Sequence, residues 1–262
     1  MSMGAVRATS PMPVVRIRVG GVPVDAASRA VLAGQFQADA ASPPECPRLV
    51  VSINGEGVYR YHREDRFRAA IDAADIVHAD GMSVVRAGNR YTDAHFPERV
   101  ATTDFFQDLV TVCAAQNAPM YLVGGREAAL KKAVERIRAD YPEVPIAGWH
   151  HGYFADGSGE EVALIEEIRA LRPALVLVGL GRPRQELWCR RWQRELAGVA
   201  WLKTCGGLFD FLSGEATRAP LWMQHAGLEW LYRLAREPRR LFWRYLVTNL
   251  YALYCYRFRR TS

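Results

Sequence analysis

Short apolar segments alternate with longer segments of helical pattern through most of this sequence. Six of the short segments predict β-strands, at residues 48–53, 75–79, 119–123, 145–149, 174–178 and 199–204. The segments between them predict helices at 63–74, 103–116, 127–140, 160–171 and 184–196. Uninterrupted apolar runs such as ALVLV at 174–178 are typical of strands buried on both faces. The alternation therefore predicts an α/β fold with a Rossmann-like, mostly parallel sheet and helices on both faces.

The two ends of the chain depart from this alternation. Residues 1–13 are rich in small residues and Pro, and we expect a mobile leader there. Two apolar runs, 14–19 and 22–24, flank Gly20-Gly21 and predict a β-hairpin. After the last predicted strand, arginine and aromatic residues become frequent. We therefore divide the chain into the leader, a Rossmann-like core at 14–204 and a helical C-terminal appendage at 205–262.

The appendage carries the basic charge of the chain. The whole sequence has a net charge of +6, but nine arginines and two glutamates from Arg218 onward give +7, which leaves −1 for the rest. Ten aromatic residues fall in the same segment, and its uncharged stretch 245–256 has 12 residues, fewer than the roughly 20 of a membrane-spanning helix. Arginine beside aromatic residues predicts a segment that lies on an anionic membrane surface. The alternative is a helical pair that packs its aromatic side chains on the core.

Missing motifs exclude several classes of protein. Gly179-x-Gly181 lacks the third glycine of a dinucleotide-binding fingerprint, and the sequence contains neither a P-loop nor a Gly-x-Ser-x-Gly motif. The appendage has no recognised nucleic-acid motif and the remaining chain is nearly neutral, so we expect no nucleic-acid partner. Five scattered cysteines without a CxxC pair indicate a reducing compartment, without a disulfide framework or a structural zinc site.

Nearly every predicted strand ends at a glycine beside a polar residue. Examples are Asn54-Gly55, Asp80-Gly81 and the run that begins at Gly179. In parallel sheets, ligands bind beyond the carboxyl ends of the strands. Glycine there lets the backbone approach a ligand closely and leaves N–H groups for phosphate. The strand ends therefore predict a nucleotide-type ligand.

The transfer of a sugar from a nucleoside diphosphate fits these residue types. Such a reaction needs a base for the acceptor hydroxyl and positive charge for the departing diphosphate. Metal-dependent enzymes of this kind usually hold their ion with Asp-x-Asp, and no two aspartates here have that spacing. His150 and His151 are adjacent, and we expect that they do not both face one ion from a regular strand. We therefore predict no metal and no cofactor, with arginines and helix N-termini stabilising the diphosphate.

Five motifs, in order along the chain, resemble the WecG/TagA/CpsF glycosyltransferases. They are ADGMSVV at 79–85, GLGRPRQE at 179–186, GGLFD at 206–210, RAP at 218–220 and GLEWLYRLAREPR at 227–239. The resemblance implies a metal-independent, inverting transfer from a UDP-sugar to a polyprenyl-diphosphate-linked sugar. It places the enzyme peripherally on the cytoplasmic face of the inner membrane. It also implies a C-terminal appendage that docks on the membrane and completes the active site.

Within that family, the chain resembles the members that add glucose in β-1,4 linkage during assembly of the exopolysaccharide xanthan. Ser52-Ile53-Asn54 stands where the N-acetylmannosamine transferases usually have Thr-Pro-Asn. The resemblance thus favours UDP-glucose over UDP-N-acetylmannosamine or another UDP-hexose. A different class, a regulatory protein that binds a nucleotide or nucleic acid through a basic arm, is the alternative function. A homo-oligomer is also compatible with the sequence.

The resemblance and the strand ends together nominate the site residues. Asp80, in the Asp-Gly motif, is the candidate general base, and its alternative role is to cap a helix. The candidate substrate-binding residues are Ser52, Asn54, Arg99, Gly124, Gly179, Gly181, Gln185, Glu186 and Gly206. The candidates for the lipid diphosphate and anionic headgroups are Arg233, Arg239, Arg240 and Arg244. Their alternative is an ordinary solvated helix face.

Overall fold

The computed structural model describes residues 14–259, except for the side chain of Arg240. The expected leader, residues 1–13, lies outside this range. The strands are β1 (Val15–Val19), β2 (Val22–Ala26), β3 (Arg48–Ile53), β4 (Ile76–Ala79), β5 (Met120–Gly124), β6 (Ile146–His150), β7 (Leu175–Gly179) and β8 (Trp201–Thr204). The helices are α1 (Arg29–Ala41), α2 (Gly55–Arg63), α3 (Asp65–Asp72), α4 (Met82–Tyr91), α5 (Thr102–Gln116), α6 (Glu127–Asp140), α7 (Gly159–Leu171), α8 (Arg184–Trp192), α9 (Leu208–Leu212), α10 (Leu221–Ala226), α11 (Glu229–Arg236) and α12 (Pro238–Phe258).

The strands form one sheet in the order β1-β2-β4-β3-β8-β7-β5-β6. β1 and β2 are the expected antiparallel hairpin, and the other described strand pairs are parallel. Along β3, Leu49, Val51 and Ile53 enter one core cluster whereas Val50 enters the other. The sheet is therefore apolar on both sides, as the uninterrupted runs predicted, and the α/β prediction with helices on both faces is confirmed.

Each face of the sheet has its own layer of helices. Buried side chains of α2, α3, α4, α7, α8 and α12 form the core of the first face. Those of α1, α5, α6 and α9 form the core of the second face, where Phe36 and Phe105 pack against Trp201. The sheet is thus covered on both sides, which is the condition for a buried parallel sheet.

Some of the sequence-predicted helices differ from the observed ones. The predicted helix 63–74 is two helices, α2 and α3, because Glu64 has an extended backbone (φ −125°, ψ 102°) that interrupts the helical hydrogen bonds. α1 and α4 were not predicted. α1 is rich in alanine and buries few large side chains, among them Leu32 and Phe36, so its periodicity is weak.

The order in which successive strands are added to the sheet reverses next to β3. β4 is added on one side of β3. The later strands β5 to β8 all lie on the other side of β3, and the last of them, β8, pairs with β3. The helix that follows β3 packs on the first face, and the helix that follows β8 packs on the second. Such a reversal opens a crevice beyond the carboxyl ends of the two strands, where doubly wound sheets bind their ligands.

The C-terminal helix α12 packs on the core. Ala252, Cys255 and Tyr256 are buried in the core of the first face, and the Tyr256 hydroxyl lies 3.3 Å from Ser83 Oγ. Residues 205–209 also contribute buried side chains, to the core of the second face. Each described helix is too short or too polar to be a candidate for crossing a membrane.

Gly124 tests the packing of the sheet. It has φ +135°, and a Cβ atom there would lie 2.3 Å from the carbonyl oxygen of Gly179, so we expect Gly124→Ala to lower the free energy of unfolding by about 3 kcal/mol or more. The matched control is Gly34→Ala on the exposed side of α1, where a Cβ meets nothing within 4 Å and alanine should stabilise the helix by up to about 1 kcal/mol. Urea denaturation measures both. A Gly124→Ala protein as stable as the parent contradicts the predicted clash.

Candidate functional site

Arg182 joins the carboxyl ends of β3 and β7 across β8. Its Nη1 donates to Asn54 Oδ1 (2.7 Å), and its Nη2 donates to both the carbonyl oxygen (2.5 Å) and Oγ (2.9 Å) of Ser52. Its Nε donates to Glu186 Oε1 at 3.3 Å. The Arg182 side chain is only 10% exposed, and these four hydrogen bonds fix its guanidinium group at the reversal of the sheet. Arg182 was not among the residues nominated from the sequence, although it lies inside the GLGRPRQE motif.

Two predicted residues of β3 and its end, Ser52 and Asn54, meet at Arg182. Asn54 also caps α2, because its Oδ1 accepts from the N–H of Gly57 at 3.1 Å. The asparagine therefore starts the helix at this point and orients the guanidinium group at the same time. A single side-chain oxygen, Asn54 Oδ1, thus accepts both the helix-capping hydrogen bond and the one from Arg182.

Asp80 lies at the carboxyl end of β4, next to Asn54. The backbone N–H groups of Asp80 and Gly81 both donate to the carbonyl oxygen of Ile53, at 2.9 and 3.2 Å. Asp80 Oδ1 accepts from the N–H of Thr102 at 3.1 Å, so the carboxylate caps α5, whose own N-cap residue is an alanine. Among the described residues, Oδ2 accepts no hydrogen bond. The capping alternative is thus real, and it still leaves one carboxylate oxygen for another partner.

Two buried basic groups lie beneath this crevice. Lys203 Nζ donates to the carbonyl oxygen of Thr204 at 2.7 Å, and burial lowers the pKa of Lys203 to about 8, although Asp80 and Glu186 act in the opposite direction. His78 donates from Nδ1 to the carbonyl oxygen of Val100 at 2.9 Å, and burial together with Lys203 brings its pKa well below the usual value. Both residues interrupt apolar strands, WLKT and IVHA, and this interruption is the sequence feature that could have revealed them.

Gln185 and Glu186 are buried at the start of α8. Gln185 Oε1 accepts from the N–H of Gly206 at 3.1 Å, and its Nε2 donates to Glu186 Oε1 at 2.8 Å. Burial raises the pKa of Glu186 against the opposing effect of Arg182, and its Oε2 is a buried oxygen with no hydrogen-bond partner in the described part of the chain. Gln185 therefore contacts the residue pair that follows β8, and Glu186 contacts Arg182, which follows β7.

The four predicted glycines fall into two pairs. A Cβ at Gly124 would clash with Gly179, and a Cβ at Gly179 would lie 2.8 Å from the Phe209 ring, so neighbouring protein groups fill the space at both. Gly181 (φ +76°) and Gly206 (φ +55°) have nothing within 4 Å of such an atom. Only the second pair borders open space that a ligand could enter.

Arg99 connects the core to the appendage. Its Nη1 lies 2.9 Å from Glu229 Oε2 in α11, and its Nη2 lies 3.9 Å from Asp104. Arg218 forms a second link, with Nη1 at 2.5 Å from Asp104 Oδ1. The structure thus assigns Arg99 a partner within the protein.

The predicted appendage arginines differ in their surroundings. Arg244 Nη1 lies 3.9 Å from Glu56 Oε2 in α2, the guanidinium carbon of Arg233 lies 5.9 Å from the centre of the Phe211 ring, and Arg239 is exposed. The side chain of Arg240 lies outside the described residues. Burial acts to raise the pKa of Glu56, but Arg182, Arg244 and Arg60 outweigh it, and the pKa is lowered. Glu56 therefore connects the crevice electrostatically to α12.

α12 also presents an apolar face to solvent. Its exposed apolar side chains are Phe242, Trp243, Leu246, Val247, Leu250, Leu253, Tyr254 and Phe258. They recur every three or four residues and therefore lie along one side of the helix. An apolar face of this length indicates a surface that contacts a membrane or a protein.

The prediction that His150 and His151 do not both face one ion assumed that both lie on a regular strand, and this assumption is wrong. The Nε2 atoms of both rings lie 3.5 Å from Glu160 Oε1. β6 ends at His150, so the alternation of side chains along a strand does not extend to His151. The two histidines and Glu160 form a cluster at the outer edge of the sheet.

A doubly wound sheet with a carboxylate, a guanidinium group and open glycines near its reversal is typical of enzymes that bind nucleotide-linked substrates. The family model described as "Glycosyl transferase WecG/TagA/CpsF family" matches residues 17–262. The chain therefore belongs to the WecG/TagA/CpsF glycosyltransferase family, and the resemblance carried by the five motifs is confirmed. Membership implies a nucleotide-sugar donor and a lipid-linked acceptor in general terms, and it favours the transferase prediction over the regulatory alternative.

The pair of Arg182 and Glu186 can be tested by unfolding. Glu186 is fully buried, so Arg182→Met leaves a carboxylate without its cation and should lower the free energy of unfolding by about 3–5 kcal/mol. Adding Glu186→Gln removes that charge and should restore part of the loss. The control is Arg136→Met, which removes an exposed pair with Asp140 and should cost less than about 1 kcal/mol. If Arg182→Met is as stable as Arg136→Met, the buried pair does not hold the site.

Proposed function

We propose that this protein is an inverting hexosyltransferase that transfers glucose in β-1,4 linkage from UDP-glucose to a polyprenyl-diphosphate-linked sugar. The reaction would take place on the cytoplasmic face of the inner membrane, in the assembly of an exopolysaccharide of the xanthan type. The observation that carries the proposal is that Asp80, through Ile53, and Arg182, through Asn54, both lie at the carboxyl end of β3 in a glycosyltransferase of this family.

In this proposal Asp80 is the general base. One carboxylate oxygen holds the N–H of Thr102, which fixes the orientation of the group. The other oxygen takes the proton of the acceptor hydroxyl as that hydroxyl attacks the anomeric carbon of the donor sugar. Attack from the face opposite the leaving group inverts the anomeric configuration, and UDP leaves with the bonding electrons.

Arg182 and the backbone stabilise the departing diphosphate. The guanidinium group is held by Ser52, Asn54 and Glu186, so it needs little reorganisation when negative charge develops. Gly181 and Gly206 leave room for phosphate oxygens to approach the backbone, and α2 and α8 both begin at the crevice. These groups supply positive charge without an ion, which supports metal-independent transfer.

α12 supplies the attachment to the membrane and the contact with the acceptor. Its exposed apolar face would enter the interface, while Arg233, Arg239, Arg240 and Arg244 bind anionic headgroups and the acceptor diphosphate. A cavity of about 280 Å³ lies between α2 and α12 and is lined by Glu56, Trp243 and Arg244 among others. One of its lining residues, Glu56, is also close enough to Arg182 for that guanidinium group to lower its pKa.

The base is tested by Asp80→Asn. The amide oxygen of asparagine can still accept from Thr102, so the α5 cap persists while the base is lost, and turnover should fall by about 10²–10⁴-fold with little change in donor affinity. Turnover of UDP-glucose with a short-chain polyprenyl-diphosphate acceptor is the measurement. The control is Asp65→Asn, whose side chain is 87% exposed and should leave turnover unchanged. If both variants are equally active, Asp80 is only a cap. Comparison of UDP-glucose with UDP-N-acetylmannosamine in the same assay tests the donor.

Metal independence is tested by chelation. Because arginine and backbone N–H groups supply the positive charge, excess EDTA should leave the initial rate of transfer unchanged. The control is the same assay with added Mg²⁺ or Mn²⁺, which should not increase the rate. Activity that disappears with EDTA and returns with either ion contradicts this part of the proposal.

Membrane attachment is tested by vesicle flotation. Trp243→Ser combined with Leu250→Ser removes two side chains that are 70% and 60% exposed, and this variant should float less with anionic vesicles at every salt concentration. Arg239→Glu should weaken flotation mainly at low salt, because attraction between exposed charges is screened. Tyr153→Ser, a 73% exposed residue on the β6–α7 loop, is the control. If both α12 variants float with anionic vesicles as well as the parent and the Tyr153→Ser control do, α12 is not the membrane anchor.

A further inference from the structure

His150, His151 and Glu160 meet at the end of β6, and the proposed transfer does not use them. We propose that these three side chains bind one divalent transition-metal ion of the zinc type. Two imidazoles and a carboxylate are ligands that zinc accepts, with a water molecule at the fourth position. The three candidate ligand atoms lie within 4.8 Å of one another.

The spacing of the cluster matches that of ligands around zinc. Ligand atoms bonded to a tetrahedral zinc ion at about 2.0–2.1 Å are about 3.3–3.4 Å apart. Here each histidine Nε2 is 3.5 Å from Glu160 Oε1. The two histidine–glutamate distances are therefore close to those between ligands that share one zinc ion.

The hydrogen bonds of His150 prepare it to bind a metal. Its Nδ1 donates to the carbonyl oxygen of His151 at 2.9 Å, so in the neutral ring the free lone pair is on Nε2, the atom that faces Glu160. A backbone carbonyl on the second ring nitrogen is a common partner of metal-bound histidines. His151 Nδ1 accepts a long hydrogen bond, 3.3 Å, from the N–H of Tyr153, and this bond is lost when a neutral ring binds an ion through Nε2. His150 is therefore the stronger ligand of the two.

The surroundings leave an entry path for the ion. The side chains of His150 and His151 are 23% and 29% exposed, and Glu160 is 45% exposed. The ring of His150 packs with its centre 5.7 Å from that of Phe154, which limits its rotation. The cluster is thus ordered on one side and open to water on the other.

The ion would close a loop rather than take part in sugar transfer. Glu160 lies in the first turn of α7, so a bound ion joins the end of β6 to α7 and closes the loop of residues 151–158. Within that loop, the carbonyl oxygens of Gly152 and Phe154 accept from Arg184 of α8. β6 lies five strand positions from β4, about 24 Å at about 4.8 Å per strand, so the ion does not contact Asp80.

The test uses Zn²⁺ and the full-length chain carrying Cys46→Ser, since Cys46 is the exposed cysteine. After EDTA treatment and dialysis, calorimetric titration should show one Zn²⁺ per chain, and the thermal midpoint should rise when the site is filled. His150→Gln and Glu160→Gln should each weaken Zn²⁺ binding by at least about tenfold and abolish the rise, with a smaller effect from His151→Gln. His95→Gln, at an exposed histidine elsewhere, should bind like the parent.

Two outcomes overturn the proposal. If the parent binds no Zn²⁺, the cluster is only an ion pair between histidine and carboxylate. If His150→Gln and Glu160→Gln bind Zn²⁺ as tightly as the parent, the ion binds elsewhere. Both results are independent of sugar transfer, because the titration is done without donor or acceptor.

Discussion

The arrangement of the candidate site depends on one buried guanidinium group. Arg182 reaches from the end of β7 over β8 to the end of β3, and its hydrogen bonds to Ser52, Asn54 and Glu186 hold the end of β3 to the start of α8. Asn54 begins α2 and lies against the Asp80-Gly81 turn, so the position of the candidate base follows from the same contact. Charge that is fixed before the reaction stabilises a developing anion without reorganisation.

The fold was predictable because burial on both faces leaves a clear pattern. β5 and β7 consist almost entirely of apolar residues, and β3 is apolar except for Arg48 and Ser52. α1 escaped prediction because its alanine-rich sequence has few large side chains to mark the buried side. Helix boundaries at Glu64 depend on backbone angles that the composition does not reveal.

The candidate site was predictable only in part. Asn54 and Asp80 were nominated because each precedes a glycine at a strand end, and the structure brings them, with Ser52, to neighbouring strand ends. Arg182 acts on residues 128 and 130 positions earlier in the chain, and no local pattern carries such a pairing. Gln185 and Glu186 were nominated for a ligand, but the structure turns them towards Gly206 and Arg182. Only the tertiary structure distinguishes the residues that contact other protein groups from those that border open space.

Glu56 couples amino-acid substitutions in the core to substitutions in the C-terminal appendage. Its carboxylate is influenced by Arg182 in the crevice and by Arg244 on α12, so each guanidinium group alters the field that the other experiences. Substitutions at these two positions should therefore be epistatic, although one belongs to the sheet and the other to the C-terminal helix. Replacement of Glu56 would change the electrostatic environment of Arg182 in the core and of Arg244 in the appendage at the same time. We therefore expect these three positions to evolve together.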